Sequence, residues 1–331
     1  MNSVLRLLPI VSLLAACWLL LGVLGAPPAV VAEPRPDSVR AKRVLYVGPG
    51  RPFERPSDAA RFVRDGAVVE IVGDYEGDVT VWRQNDLTLR GIGKRPHLQA
   101  GGEAAEGKAI WVIKGDRVTV ENLEFSGTKV PSRNGAGIRA EGSGLTIRNC
   151  HFHHNEMGLL TNPSPNSIVV ISGSEFNHNT TNTESHGRLG HNIYIHRARR
   201  FVLRDSHVHG ARTGHQVKTR ARRNDIRGNR IRDGDGAGSF LLDIAEGGQA
   251  EVFRNRFQQS AGAANRTAIA FAGENNRKAK NNKLLVQGNT FVNEGGAATF
   301  VRNHSNSPAV LKNNQLPDRG VTPLRGPGKV E

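Results

Sequence analysis

A short pattern recurs eight times along the chain, and nothing else in the sequence narrows the possible folds as much. The copies read NLEFSG, NCHFHHN, GSEFNHN, DSHVHGA, GNRIRDG, RNRFQQS, GNTFVNE and NNQLPD. Their apolar anchors are Phe125, Phe152, Phe176, Val208, Ile231, Phe257, Phe291 and Leu316, at intervals of 27, 24, 32, 23, 26, 34 and 25 residues. Repetition at this spacing marks a solenoid, in which each unit buries its apolar face only by stacking on its neighbours. Each unit opens on a run of alternating apolar and polar residues, such as VTVENLEF, LTIRNCHF, IVVISGSEF and LLVQGNTF. A second short run follows a Gly/Asn-rich bend, as in GIRA, NIYIH, QVKTR and FLLDIA. Period two predicts strands. No helical period lies between the runs, so the class is all-β and the units coil as a parallel β-helix.

The residue two before each anchor supports this reading. That column is Leu123, Cys150, Ser174, Ser206, Asn229, Asn255, Asn289 and Asn314. Equivalent positions on successive coils lie about 4.8 Å apart, so four successive asparagines suit a ladder of side-chain amides. Cys150 falls in this column and reads as small buried filler, with no sign of an activated thiol.

The two ends differ from the repeats. Residues 1–32 carry one Arg, an apolar run from Leu7 to Gly25, and Val30 and Ala32 placed at −3 and −1 for cleavage before Glu33. This predicts a secretory signal and a secreted or periplasmic protein with no membrane span in the mature chain. A lipoprotein box at Leu14-Ala15-Ala16-Cys17 and an uncleaved anchor are the alternatives, with cleavage preferred. The β-helix domain is expected over 44–316. A short capping helix over Pro56–Gly66, with Ser57 as N-cap, is expected near its start. The basic, Pro/Gly-rich tail 317–331 is expected to be irregular.

The chain resembles the right-handed parallel β-helix proteins of the pectate-lyase-like superfamily. More narrowly, it resembles a group of exported bacterial β-helix proteins. The likeness is carried by GDYEGDVTVW, LTLRGIGKRPHL, GKAIWVIKG, VTVENLEFSG, NGAGIRAEG, LTIRNCHFHHNE, GHQVKTRA and LLDIAEGGQAEVFRNRFQQ, and runs from Leu45 to Leu316. It implies the right-handed fold. It does not carry an activity over: the Asn-Thr-Asp and Asp-Asp pairs of polygalacturonases and the Asp-Pro-His-Asp signature of alginate epimerases are absent from the sequence.

Charge points to the class of partner. Lys+Arg is 45 against 30 Asp+Glu, a formal +15, which favours a polyanion. Aromatic residues make up only 5%, leaving little for sugar stacking and favouring ionic recognition of an acidic polysaccharide. Export and the lack of a reading module argue against nucleic acid. A monomer is expected.

Strand parity then nominates a site. With Ile193, Ile195, Val217, Phe240, Leu242 and Ile244 inward, Asn192, Tyr194, His196, Gln216, Lys218, Arg220 and Asp243 point outward on three successive coils. Glu246 comes directly after and flanks them. The group suits β-elimination or C5-epimerisation of a uronate polymer. Arg220 is placed to grip the carboxylate, Lys218 or His196 to take the C5 proton, and Tyr194 to protonate the leaving oxygen. Asn192, Gln216 and Glu246 are the candidate substrate contacts. The competing reading is a Lys218–Asp243 ion pair on a solvated face, with the protein a non-catalytic polysaccharide-binding or envelope scaffold. His215 shares the parity of Val217 and reads as a core or edge residue. His191 lies at the edge of the patch. Asp233 and Asp235 in RDGDG suit a Ca²⁺ ion or a hydrolase pair, but ordinary turn chemistry is preferred there. In Cys150-His151-Phe152-His153-His154, a metal would need ligands from another coil, and none is assigned. No cofactor is expected.

Overall fold

The computed structural model describes residues 43–181, 190–274 and 281–331. The leader-like segment 1–32 lies outside them. Three parallel sheets of twelve, nine and ten strands wrap one interior. Each coil visits them in turn. One coil runs through Leu145–Arg148, His151–His153 and Met157–Thr161; the next runs through Ser164–Ser172, Glu175–Asn177 and Ile193–Ile195. Each strand pairs in register with its counterpart one coil away. The fold is the expected all-β parallel solenoid. No helix among the described residues is long and apolar enough to cross a membrane.

The repeat anchors stack as a single column in the second sheet. Phe125 pairs with Phe152, Phe152 with Phe176, and the register continues through Val208, Ile231, Phe257 and Phe291. The rings of Phe125, Phe152 and Phe176 lie nearly parallel, with centroids 5.0 and 4.6 Å apart. Trp111 meets Phe125 edge-on at 5.1 Å and carries the apolar stack towards Trp82.

One residue per coil turns the chain from the first sheet into the second. Asn122, Asn149, Gly173, Asp205, Gly228, Arg254, Gly288 and Asn313 all lie at φ between 49° and 66°. Each stands three residues before its anchor. Asn, Asp and Gly tolerate this left-handed region best. The turn sends the next residue, the small column, into the interior. There the amide ladder forms as expected. Asn229 Nδ2 donates to Asn255 Oδ1 at 2.9 Å, Asn255 to Asn289 at 3.0 Å, and Asn289 to Asn314 at 2.9 Å. Their second Nδ2 protons go to the carbonyls of Leu203, Ile226 and Val252. Cys150 continues the column: it is buried, its N–H donates to Ser174 Oγ, and burial pushes its thiol up to about 12.

Both ends depart from expectation. The helix is only Pro56–Ala60, with Arg55 rather than Ser57 at the N-cap position and no side-chain cap. Pro56 starts it because a missing N–H costs nothing in the first turn. The Ser57 N–H instead donates to Asp78 Oδ2 at 3.2 Å. The tail is not irregular. Val321–Arg325 pairs with Ala298–Asn303, and Gly328–Val330 pairs with Ala309–Lys312. The end of a solenoid offers unpaired backbone groups, and the tail takes them up despite its Pro and Gly content. Pro323 sits on the outermost strand, where a missing N–H is tolerated.

The ladder predicts a measurable cost. Asn255→Leu strands one Nδ2 proton and the backbone N–H of Asn229, and the carbonyl of Ile226, so it should destabilise the fold by about 2–3 kcal/mol in urea titration. A loss too small to resolve would show that the ladder contributes no stability.

Candidate functional site

The third sheet carries the polar column. Tyr194 pairs with Lys218, and Lys218 with Asp243, so the three expected neighbours are immediate neighbours on successive coils. Ile193, Ile195, Val217, Leu242 and Ile244 face the core as predicted. Yet the outward groups are not on a wet face. The side chains of Lys218 and Asp243 are only 10% and 5% exposed. Lys218 Nζ donates to Glu274 Oε1 and lies 3.4 Å from Asp243 Oδ2. Arg220 Nε donates to the other oxygen of Glu274 at 3.2 Å. The Lys218 and Arg220 cations lie 5.7 and 5.2 Å from the centre of the Tyr194 ring. The ion pair of the competing reading is present, but it is desolvated rather than solvated.

Two histidines complete the cluster. A Cβ on Gly214 would fall 1.6 Å from the carbonyl oxygen of Gly190, so only glycine lets these two coils approach. The closeness stacks His191 on His215, with centroids 4.8 Å apart. The backbone N–H of His215 donates to His191 Nδ1 at 3.0 Å, and the N–H of Phe240 to His215 Nδ1 at 3.1 Å. Both rings are thus neutral, with their proton on Nε2. His215 Nε2 lies 3.6 Å from Asp243 Oδ2. Burial drives His191 well below the ordinary imidazole range and takes His215 to about 3, helped by Lys218. Burial pushes Asp243 up to about 6 against the pull of Lys218. Burial also works to raise Glu274, but hydrogen bonds from Lys218 and Arg220 outweigh it and hold that carboxylate low. The result is a carboxyl group that titrates near neutrality, between a buried ammonium and a neutral imidazole. Such a group can take or give a proton.

Several expectations are corrected. Asn192 and Gln216 do not face outward. Both are fully buried in a second amide ladder: Asn179 Nδ2 donates to Asn192 Oδ1, Asn192 to Gln216 Oε1, and Gln216 to Asp233 Oδ1. The bend before each strand sends two consecutive residues inward, which breaks the alternation. Asp233 ends this ladder and also accepts from the Ser260 N–H, a structural role. His215 is buried, as a core or edge residue would be, and it is also part of the cluster. Phe240 is half-buried and stacks on His215 at 5.1 Å instead of filling the core. Arg220 has no open fork, since Glu274 and Glu246 already face it. Glu246 accepts two hydrogen bonds from Arg197 Nε and Nη2 on one oxygen, at 3.0 and 2.8 Å. His196 stacks on Tyr194 at 5.8 Å, and its Nδ1 accepts the Arg197 N–H at 2.8 Å. Burial and Arg197 lower its pKa. Glu274 escaped the sequence reading because it arrives after a strand of its own. The histidines had a legible signal in the repeated Gly-His-Asn and Gly-His-Gln before Ile193 and Val217.

Unbalanced charge lies just beyond. Arg199, Arg200, Arg222 and Arg223 line an open concavity of about 770 Å³ where the chain passes from the third sheet to the first. Arg200 meets Asp225 at 3.3 Å, and Arg222 donates to the Pro165 carbonyl at 2.8 Å. Arg199 and Arg223 are exposed.

The family described as "Right handed beta helix region" matches residues 103–282, more than half of the chain and the whole of this cluster. No curated protein matches the chain.

The buried imidazoles make the fold sensitive to acid. His215 titrates at about 3 instead of 6.5, so its contribution is complete above pH 6.5 and is lost as pH falls towards 3. Asp243, raised from 3.8 to about 6, acts in the opposite sense: its contribution is complete below 3.8 and is lost as pH rises through 6. His215→Asn should therefore make the fall of melting temperature between pH 6.5 and 4 shallower. An unchanged slope would mean that His215 is not held neutral.

Proposed function

Because the chain belongs to the right-handed β-helix family, we propose that it is a carbohydrate-recognition β-helix whose ligand is an acidic, uronate-containing polysaccharide. The arginine-lined concavity carries this reading. Four arginines from two successive coils line it, and the fork geometry of arginine matches carboxylates in pairs. The formal charge of +15 and the 5% aromatic content favour ionic grip over ring stacking. The resemblance to pectate-lyase-like proteins and the leader-like residues 1–32 agree with a polymer outside the cytoplasm.

The adjoining cluster favours a second reading, in which the bound polymer is also modified. In β-elimination a base removes the C5 proton, the C4–O bond breaks to leave a C4–C5 double bond, and an acid protonates the departing oxygen. In C5-epimerisation the proton returns to the other face. Asp243 is buried 3.4 Å from Lys218, so Lys218 or His196 is the base and Asp243 the partner that sets the charge around Lys218. Tyr194, one coil from Lys218 and two from Asp243, remains the acid. The engaged cations Lys218 and Arg220 steady the developing negative charge.

Titration with oligogalacturonate, oligo-alginate and neutral dextran separates these readings. At least one acidic polymer should bind in a salt-sensitive manner, and Arg199→Ala with Arg222→Ala and Arg223→Ala should weaken that binding by tenfold or more. Equal binding of dextran, or no effect of the triple variant, would reject the concavity as the site. Absorbance of an unsaturated product that Tyr194→Phe abolishes would establish the lyase. Binding without product or epimerised residues would leave the recognition reading alone.

A further inference from the structure

The outer face of the second sheet holds a different chemistry. Seven of the twelve histidines in the chain lie on or beside it: His97, His151, His153, His154, His178, His207 and His209. Register places His97, Glu124, His151, Glu175 and His207 in one outward column across five successive coils. His153 and His209 stand in the next column, two residues along their strands. Each glutamate therefore has imidazoles from more than one coil around it, the condition that the sequence run around Phe152 could not meet by itself.

The two glutamates have almost the same surroundings. Glu124 Oε1 lies 2.9 Å from His153 Nε2 and 3.6 Å from His97 Nε2. Glu175 Oε1 lies 3.0 Å from His209 Nε2 and 3.7 Å from His207 Nδ1. Within each trio, all the ligand atoms fall within 4.8 Å of one another. A tetrahedral ion with bonds of about 2.1 Å wants its ligands about 3.4 Å apart, so small side-chain rotations suffice. We propose that this face binds two divalent transition-metal ions, one at His97–Glu124–His153 and one at Glu175–His207–His209.

Part of the arrangement is hydrogen-bonded: His97 Nε2 also meets Ser126 Oγ at 2.8 Å, and His153 Nδ1 meets His154 Nδ1 at 2.7 Å. A single carboxylate oxygen faces two imidazoles in each trio. The rings of His151 and His153 are 4.4 Å apart, and those of His207 and His209 are 4.1 Å apart. Among the described residues, His151 Nε2 and His207 Nε2 are buried without a hydrogen-bond partner. Two imidazoles and one carboxylate suit Zn²⁺, Cu²⁺ or Ni²⁺ rather than Ca²⁺ or Mg²⁺, and leave coordination positions open to an outside ligand.

Zn²⁺ alone is the probe, added to the full chain without a histidine tag, in competition with a chromophoric chelator and by equilibrium dialysis. The expected stoichiometry is two ions per chain. His153→Ala and His209→Ala should each remove one ion, and the double variant both, with far-UV circular dichroism unchanged. Cys150, buried in the interior, takes no part, so Cys150→Ser should keep both ions. Absence of binding at micromolar Zn²⁺, or a stoichiometry unaltered in the folded double variant, would overturn the assignment.

Discussion

The left-handed residue at the start of each second-sheet strand is the constraint on which the rest depends. At φ near +50° it turns the chain by a fixed amount, once per coil, from Asn122 to Asn313. The next residue along must be small in most coils and must face inward. The residue three positions after the turn must be large and apolar. The backbone thereby locks the phase of every coil to its neighbours, whatever the lengths of the excursions elsewhere. The Asn229–Asn255–Asn289–Asn314 ladder enforces the same phase from inside, because its amides reach both a carbonyl of an earlier coil and the amide of the next. A slip of one residue would break both devices at once.

Phase locking is what makes columns of chemistry possible. Residues far apart in the chain come to lie about 4.8 Å apart, and each sheet can display a different set. The third sheet collects Tyr194, Lys218 and Asp243, and buries Lys218 and Asp243 beside Glu274 and the His191–His215 stack. The second sheet collects imidazoles around two glutamates. The passage from third sheet to first collects arginines. Cations are matched by carboxylates within the first group, whereas arginines predominate in the last.

The repeats were legible because each imposes a local requirement. The Phe152 column and the adjacency of Tyr194, Lys218 and Asp243 arise from alternation within short strands, and the asparagine ladder from the turn that opens each repeat. Even the left-handed position was written in the repeats, as the Asn, Gly or Asp that opens most copies, with Arg254 the exception. Alternation fails at corners. Gln216 and Val217 are consecutive and both inward, so extending strand parity past Val217 put Gln216, and likewise Asn192, on the wrong side. Glu274 reaches Lys218 across 56 positions of sequence, a distance no local pattern encodes. The tail was misjudged because its composition suits a loop, while the hydrogen-bonding demand of the last coil lies outside its own sequence.

That last coil also bears on association. An open solenoid end is a template on which a second chain can add strands and grow a fibre. Here the terminal strands carry Pro323, Arg325 and Lys329, and Lys312 and Lys329 both lie close to Glu331. A proline without a donor and a fringe of charge make these strands a poor edge for further pairing.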